Sequence, residues 1–334
     1  MIYEDKEKLC KDPLASAYIF TYNQQELVKE TINSYLAQEC DFDFEIVICN
    51  DCSKDNTLQT CLEFQQRYPE KIRVVDNEQN MGIRGNYLTN VGQYARGKYV
   101  ATCAGDDWWS DAKKLQKQVG YMEAHPECHL VHTKAAIYVD KDKAYSKRIL
   151  GLNRNTFEEN VLLNGVAALT ICFTKASFDE FVQDVNPISL PFSEDYPMVL
   201  WYSYKKNIHF IDDITCTYRL QTNSLSHTPD KNKIYKGPQD AYDCKMVFIN
   251  KFGITDEELI KKITLIYHYD RMRYAHLLGD TDNIKKGEEY FKEKHCYHYY
   301  LLSKLYSLVG KNEKANKAVF YFGILLRKVF PIYK

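Results

Sequence analysis

Hydrophobic positions along the first two hundred residues alternate between two rhythms. Short β-branched or aromatic runs, ASAYIFTY (15–22), FEIVIC (44–49), KIRVV (71–75) and KYVATC (98–103), read as strands. Between them the spacing turns helical. Leu27, Val28, Ile32, Tyr35 and Leu36 share one face, as do Leu58, Cys61 and Leu62 behind a cap at Asp55. A further stripe of Leu115, Val119 and Met122 follows Ser110, which is placed to cap that helix. Strand–helix–strand units at this spacing predict right-handed crossovers and a largely parallel sheet. The near-continuous apolar character of the strands agrees, because such sheets are covered on both faces.

From 128 to 220 the signal is mixed, with strands expected at 128–139, 167–173 and 208–220 and helices near 156–163 and 194–205. After HTPDKNKIYKGPQD the character changes, and residues 240–330 read as successive helices broken at Gly253, Gly279 and Gly310. The expected organisation is an α/β domain over 1–229 and a helical C-terminal region over 230–334, with no fixed-period repeat.

Composition narrows the function classes. A formal net charge of -1 gives no global field for nucleic acid or an acidic polymer. Eleven cysteines without framework spacing, and no signal peptide before them, are expected of reduced thiols in a cytoplasmic protein. Cys49 and Cys52 in CNDC have redox or zinc spacing, but no second such pair exists. No apolar run approaches the roughly 18–20 residues of a membrane span.

In a parallel α/β sheet ligands sit beyond the carboxyl ends of the strands. The polar residues there are Tyr22-Asn23, Asn50-Asp51, Asp76-Asn77 and Asp106-Asp107. The last pair stands in GKYVATCAGDDWWSD, where Gly105 lets the backbone bend. Adjacent acids repel unless a cation lies between them or one is protonated. Two readings follow: solvated turn acids meeting the dipole of the next helix, or a site for a hard divalent ion that also holds a diphosphate.

Five segments in order resemble the inverting family 2 glycosyltransferases of GT-A fold, of the bacterial surface-polysaccharide or capsule kind. They are YIFTYNQQELVKETINSYLAQ, EIVICNDCSKDNT, NMGIRGN with GKYVATCAGDDWW, PFSEDYPMVLWYSYKKN and YRLQTNSLS, across residues 14–226. The resemblance implies a Rossmann-like, mostly parallel central sheet flanked by helices, with an α-helical C-terminal extension. It implies that Tyr22 packs on the nucleobase and that Asp51 accepts its imide N–H, which favours uracil or thymine. Asn80, Gly82 and Asn86 would shape the donor-side loop, with Asn80 and Asn86 binding the nucleotide. Asp106 matches the ligand of a Mn²⁺ or Mg²⁺ cofactor, with Asp107 supporting the metal or meeting the donor sugar. Ala104 or Cys103 stands where many members carry a first acid.

Asp195 matches the catalytic base, with Glu194 beside it as a supporting group. On its own, SED also reads as a helix N-terminus capped by Ser193. Arg219 would meet the diphosphate, and Gln221 stands where many relatives have His; His227 lies further on. The implied partners are a nucleotide-sugar donor, most simply UDP-linked, and a glycan or lipid-linked acceptor. Residues 311–334 carry six basic side chains against Glu313, around AVFYFGILL. That segment reads either as a basic amphipathic helix lying peripherally on an anionic membrane leaflet or as a last helix buried on its neighbours. A non-catalytic nucleotide-sugar or glycan-binding module on the same fold is the alternative. A receiver-like phosphotransfer domain would leave 151–226 without a role.

Overall fold

The computed structural model describes residues 1–187, 190, 195–221, 231–309, 312, 314–315 and 318–319, with backbone alone at 231–234. The chain forms two compact units, Met1–Ser224 and Leu225–Lys334.

The apolar runs of the first unit become strands β2 (Ala15–Thr21), β3 (Phe44–Asn50), β4 (Ile72–Asp76) and β5 (Tyr99–Ala104). Every residue of β2 and β3 is buried, as a doubly covered sheet requires. These four strands are mutually parallel in the order β4-β3-β2-β5. Chain order runs outward from β2 through β3 to β4 and then returns to β5 on the other side of β2. That reversal is a topological switch point, where a crevice opens beyond the carboxyl edge. Register makes the edge even: Thr21 pairs with Asn50, Asn50 with Asp76, and Phe20 with Ala104.

Helix α4 (Lys114–Ala124) buries its expected stripe, α1 (Val28–Leu36) buries Val28, Ile32 and Tyr35 with Leu27 and Leu36 half-buried, and α2 (Thr57–Arg67) turns Thr57, Thr60, Cys61 and Phe64 inward with Leu58 and Leu62 half-buried. The rest of the sheet is mixed. β9 (Cys172–Thr174) runs antiparallel to β5 and to β7 (Cys128–Val139), while β10 (Asn207–Leu220) lies parallel to β7. Antiparallel strands β1 (Ile2–Tyr3), β6 (Trp108–Trp109) and β8 (Ala144–Leu150) complete it on β4, β10 and β7.

Several expectations are corrected. Ser110 does not cap α4: the first-turn amides at Lys113 and Leu115 are met by Asp111 Oδ1 (2.9 Å) and Gln38 Oε1 (3.0 Å), while the Ser110 N–H donates to Thr215 O. Nor does Asp55 occupy the N-cap of α2; Asn56 does, and Asp55 Oδ1 accepts from the Thr57 N–H (3.0 Å). The 167–173 strand is a 3₁₀ turn at Ala168–Thr170 followed by the three-residue β9. NMGIRGN opens a helix, α3 (Gly82–Tyr94), rather than forming a loop. Glycines at 85 and 92 each cost helix propensity of about 1 kcal/mol, and Gly82 enters the helix in the left-handed region (φ 70), which together hid it. Burial of Tyr87, Leu88 and Val91 and the asparagine bonds described below supply what propensity lacks.

α5 (Phe157–Leu162) opens on a capping box between Thr156 and Glu159. It is followed by α6 (Lys175–Val185) and α7 (Asp195–Lys205). The second unit packs α8 (Lys231–Lys251), α9 (Glu257–Leu278), α10 (Thr281–Glu293) and α11 (Tyr297–Val309). Asp256 and Asp280 cap α9 and α10, and Gly279 ends α9 in the left-handed region (φ 68). α8 continues through Gly237 and Pro238, and the break before α11 falls at His295 rather than at a glycine. Gly310 and most of the basic segment lie outside the described residues. Among the described residues no helix is long and apolar enough to cross a membrane.

One buried charge cluster ties the N-terminal arm to the sheet. Glu45, fully buried in β3, meets Arg73 (3.1 Å), Arg96 (2.7 Å) and the Ser16 hydroxyl (2.6 Å). Arg73 also holds Glu4 of the N-terminal arm (2.7 Å) and the Tyr94 carbonyl (2.9 Å), so removing Glu45 strips Arg96 and the Ser16 hydroxyl of their carboxylate and leaves Arg73 on those two partners alone. Glu45→Ala should therefore lower unfolding free energy by about 3 kcal/mol in a urea titration. A loss below about 1 kcal/mol would show that the arginines find other partners.

A candidate nucleotide-sugar site at the carboxyl edge of the sheet

The turns after β2 and β3 are stitched together. Asn23, in the left-handed region (φ 52), accepts from the Lys54 N–H (2.7 Å) and donates its own N–H to Ser53 Oγ (3.0 Å). Gln25 exchanges bonds with Asp55 and Asn56, and the Gln24 N–H reaches Thr57 Oγ1 (2.8 Å). Tyr22 projects from this seam with 43% of its surface exposed, so a ring face is left for a planar ligand. Asp51, beside it, is buried. Its Oδ1 accepts from Asn77 Nδ2 (2.8 Å) and the Met81 N–H (2.9 Å), and its carbonyl accepts from Asn80 Nδ2 (3.2 Å).

Asn86 is placed differently from expectation. It lies on α3, buried, with its amide bonded to Cys49 O (3.2 Å), Asn77 and Asn90. It supports the wall behind Asp51.

On the other side of β2 the chain leaves β5 through Gly105. A Cβ there would lie 2.6 Å from Gln24 Oε1 and 2.8 Å from Thr21 Cβ, so the acid turn can press against the β2 turn because this residue is glycine. The Thr31 hydroxyl of α1 donates to Gly105 O (3.0 Å) and Asp107 O (2.7 Å), fixing the turn from above. Asp107 points inward, 5% exposed, and its Oδ1 accepts the Arg219 backbone N–H (2.8 Å). Asp106 is partly buried; its Oδ2 accepts from Gln221 Nε2 (2.8 Å). Asp107 is therefore not a solvated turn acid.

Burial pushes the Asp106 carboxyl above the usual carboxylate range. Burial, then the charge of Asp106, pushes Asp107 well above it. Arg219 opposes both effects without cancelling them. Its guanidinium is committed through all three nitrogens: Nε to Asp106 O (3.0 Å), Nη1 to Asp140 (3.1 Å) and Nη2 to Glu30. It lies over the Trp108 ring (4.8 Å) and near Tyr138 (5.7 Å). Trp109 packs inward, stacked on Tyr35 at 3.6 Å between ring centres.

Glu30, Thr31 and Asp140 were not foreseen as site residues. Glu30 and Thr31 sit in an ordinary amphipathic pattern whose polar face gives no chemical signal, and Asp140 belongs to a hairpin the pattern did not reveal. Asp195 opens α7, which is held by Tyr196 OH on Asn160 O (3.1 Å) and by Met198 against Tyr87. Among the described residues no hydrogen bond joins Asp195 to the acid turn or to Asp51. Glu194, Ser193 and His227 lie outside the described residues. All eleven cysteines are free, Cys49 being buried within β3.

A mixed, mostly parallel sheet flanked by helices, with a switch-point crevice at its carboxyl edge, is the GT-A architecture. The model of glycosyl transferase family 2 matches residues 16–185, just over half of the chain, and the chain belongs to that family. An uncharacterized protein of Mycobacterium tuberculosis is 29% identical over 221 residues, which are 65% of this chain and 62% of that relative. The chain thus spans less than two thirds of that relative's length. A UDP-Glc:alpha-D-GlcNAc-diphosphoundecaprenol beta-1,3-glucosyltransferase of Escherichia coli is 28% identical over 64% of this chain and 80% of its own. Staphylococcus aureus TarS 1-349 in complex with UDP-GlcNAc shares the fold at a TM-score of 0.52 and 18% identity, covering 84% of this chain and 92% of that one.

Because folding raises both carboxyls of the turn, the folded protein holds their protons more tightly than the unfolded chain. Stability of the free protein then falls as pH rises from the ordinary carboxylate range toward the raised values. Each unit of upward shift corresponds to about 1.4 kcal/mol. Asp107→Asn keeps an acceptor for the Arg219 N–H and removes the charge, so in metal-free buffer at pH 7 it should denature at higher urea than the parent. A less stable variant would show that the free protein already compensates this carboxylate.

Proposed function

We propose that this protein is an inverting glycosyltransferase. It moves a sugar from a nucleotide diphosphate, uridine-linked, to a hydroxyl of a glycan or lipid-linked acceptor in surface polysaccharide assembly. The observation that carries this reading is the shared carboxyl edge of β2, β3 and β5, which sets Tyr22 and Asp51 on one side of the switch point and Asp106 on the other. Family membership supports it. So do the UDP-glucose and diphosphoundecaprenol in the name of the Escherichia coli relative, a nucleotide-sugar donor and a lipid-linked acceptor.

The acid turn suits a hard divalent cation, Mn²⁺ or Mg²⁺. Such ions take carboxylate oxygens and keep several positions for water and substrate phosphate. Among the described residues no cluster of three or more His, Cys, Asp or Glu could hold a metal by itself. Asp106 would therefore be the protein ligand, with Asp107 behind it and Ala104 absent from the set. Bound there, the ion would supply neutralisation of charge on the departing diphosphate.

The chain's own residues account for the remaining work. Tyr22 covers the base, Asp51 accepts its imide N–H, and Asn80 holds the Asp51 loop. Arg219 is bonded to the acid turn; bonded once at each nitrogen, it keeps two N–H groups for phosphate oxygens. Asp195, at the start of α7, takes the proton of the acceptor hydroxyl as that oxygen attacks the anomeric carbon from the face opposite the nucleotide. Residues 1–229 constitute the donor-binding and catalytic domain, and 230–334 the helical region. The protein works on the cytoplasmic side, with peripheral membrane contact through the basic C-terminal segment.

Asp195→Asn should cut turnover about 10²- to 10⁴-fold while calorimetric UDP affinity stays within about twofold. Undiminished turnover would remove Asp195 from the base role. UDP binding with no transfer or hydrolysis in the unsubstituted protein would instead favour the binding-module reading. Asp106→Ala should abolish the Mn²⁺-dependent part of UDP binding; equal binding with and without the ion, in parent and variant alike, would exclude a metal at this turn.

A further inference from the structure

Asp51 is held more tightly than base recognition alone requires. A carboxylate oxygen has two lone-pair directions, and both on Oδ1 are occupied, by Asn77 Nδ2 and the Met81 N–H. Oδ2 has no hydrogen-bond partner among the described residues, yet it is not one of the sealed, unpaired polar atoms, so it keeps contact with solvent. Behind Oδ1 stands an asparagine network. Asn77 Nδ2 also reaches Asn86 Oδ1 (3.0 Å), and Asn90 Nδ2 donates to Asn77 Oδ1 (3.2 Å) and Asn86 Oδ1 (2.5 Å). Asn86 Nδ2 is anchored on Cys49 O, and Asn90 O accepts the Tyr18 hydroxyl (3.1 Å). Asn86 and Asn90 are each 2% exposed, so neither offers an amide to a ligand.

We propose that Asn77, Asn86 and Asn90 are positioning residues that turn Asp51 into a one-oxygen reader, and so select uracil-type bases against guanine. The inference rests on the nucleotide-sugar reading of the site. Uracil presents a single imide N–H between two carbonyls, which one carboxylate oxygen satisfies. Guanine presents two parallel donors, N1–H and the 2-amino group, and pairs best with both oxygens of a carboxylate. With Oδ1 saturated, one guanine donor would be desolvated without a partner, and that mismatch discriminates strongly. A fully satisfied buried network also orders the carboxylate before the ligand arrives, which lowers the cost of binding.

Calorimetric titration of the full chain with UDP and GDP tests this, with thermal melting as a control for folding. The unsubstituted protein should prefer UDP by at least about tenfold. Asn77→Ala frees one lone-pair direction of Oδ1, the Met81 N–H keeping the other, and should collapse that preference about tenfold, by weakening UDP while leaving GDP unchanged or stronger. Asn90→Ala, which does not touch Asp51, should shift the ratio in the same direction by less, and decides the matter if the first variant fails to fold. Parallel loss of both nucleotides, or an unchanged ratio, would reduce the asparagines to a structural role and overturn the proposal. Stronger GDP binding in the unsubstituted protein would overturn it while leaving a nucleotide-sugar enzyme intact. Binding of neither nucleotide would remove both readings together.

Discussion

Two neighbouring carboxylates that the fold takes out of water dominate the energetics of this site. Asp107 is turned inward at the end of β5 and Asp106 sits in the same turn, so burial acts on both and the charge of Asp106 acts further on Asp107. The surrounding structure is arranged to hold them regardless. The Thr31 hydroxyl grips two carbonyls of the turn, the Arg219 N–H caps Asp107, and Gln221 meets Asp106. A fold gives up stability in this way where a ligand of opposite charge is to be received. The same contacts bind the end of β10 to the end of β5, so the residues after the acid motif and those near 219 form one assembly although more than a hundred positions separate them.

The other half of the crevice is built on the opposite principle. Around Asp51 one carboxylate oxygen is fully matched and the other left open, the turns after β2 and β3 exchange bonds reciprocally, and the asparagines of α3 close the network. A rigid, satisfied wall suits discrimination of a planar group, whereas a pair of buried acids suits a divalent cation. β2 separates the two, and its position at the switch point follows from chain order alone.

Much of this frame was legible in the residues. Apolar runs ending in Thr21, Asn50, Asp76 and Ala104 marked the strands, and the polar residues after them marked the edge. What escaped has physical causes. Glycines at 82, 85 and 92 disguise α3 as a loop, so the sequence pattern does not show that Asn86 is buried behind Asp51. Capping of α4 by Gln38 could not be read, because that side chain comes from another element. The ion pairs of Arg219 with Glu30 and Asp140 depend on long-range pairing of β7 with β10, and pairing of distant strands leaves no local pattern. Short strands such as β6 and β9 fall below the length at which alternation is readable.

The central claim is that the acid turn is made whole by a divalent ion shared with a nucleotide diphosphate. Anomalous scattering from crystals grown with UDP and Mn²⁺ examines it directly. The account predicts one manganese peak within coordinating distance, roughly 2 Å, of both an Asp106 oxygen and the diphosphate. Diphosphate bound in the crevice with no manganese beside Asp106 would contradict it.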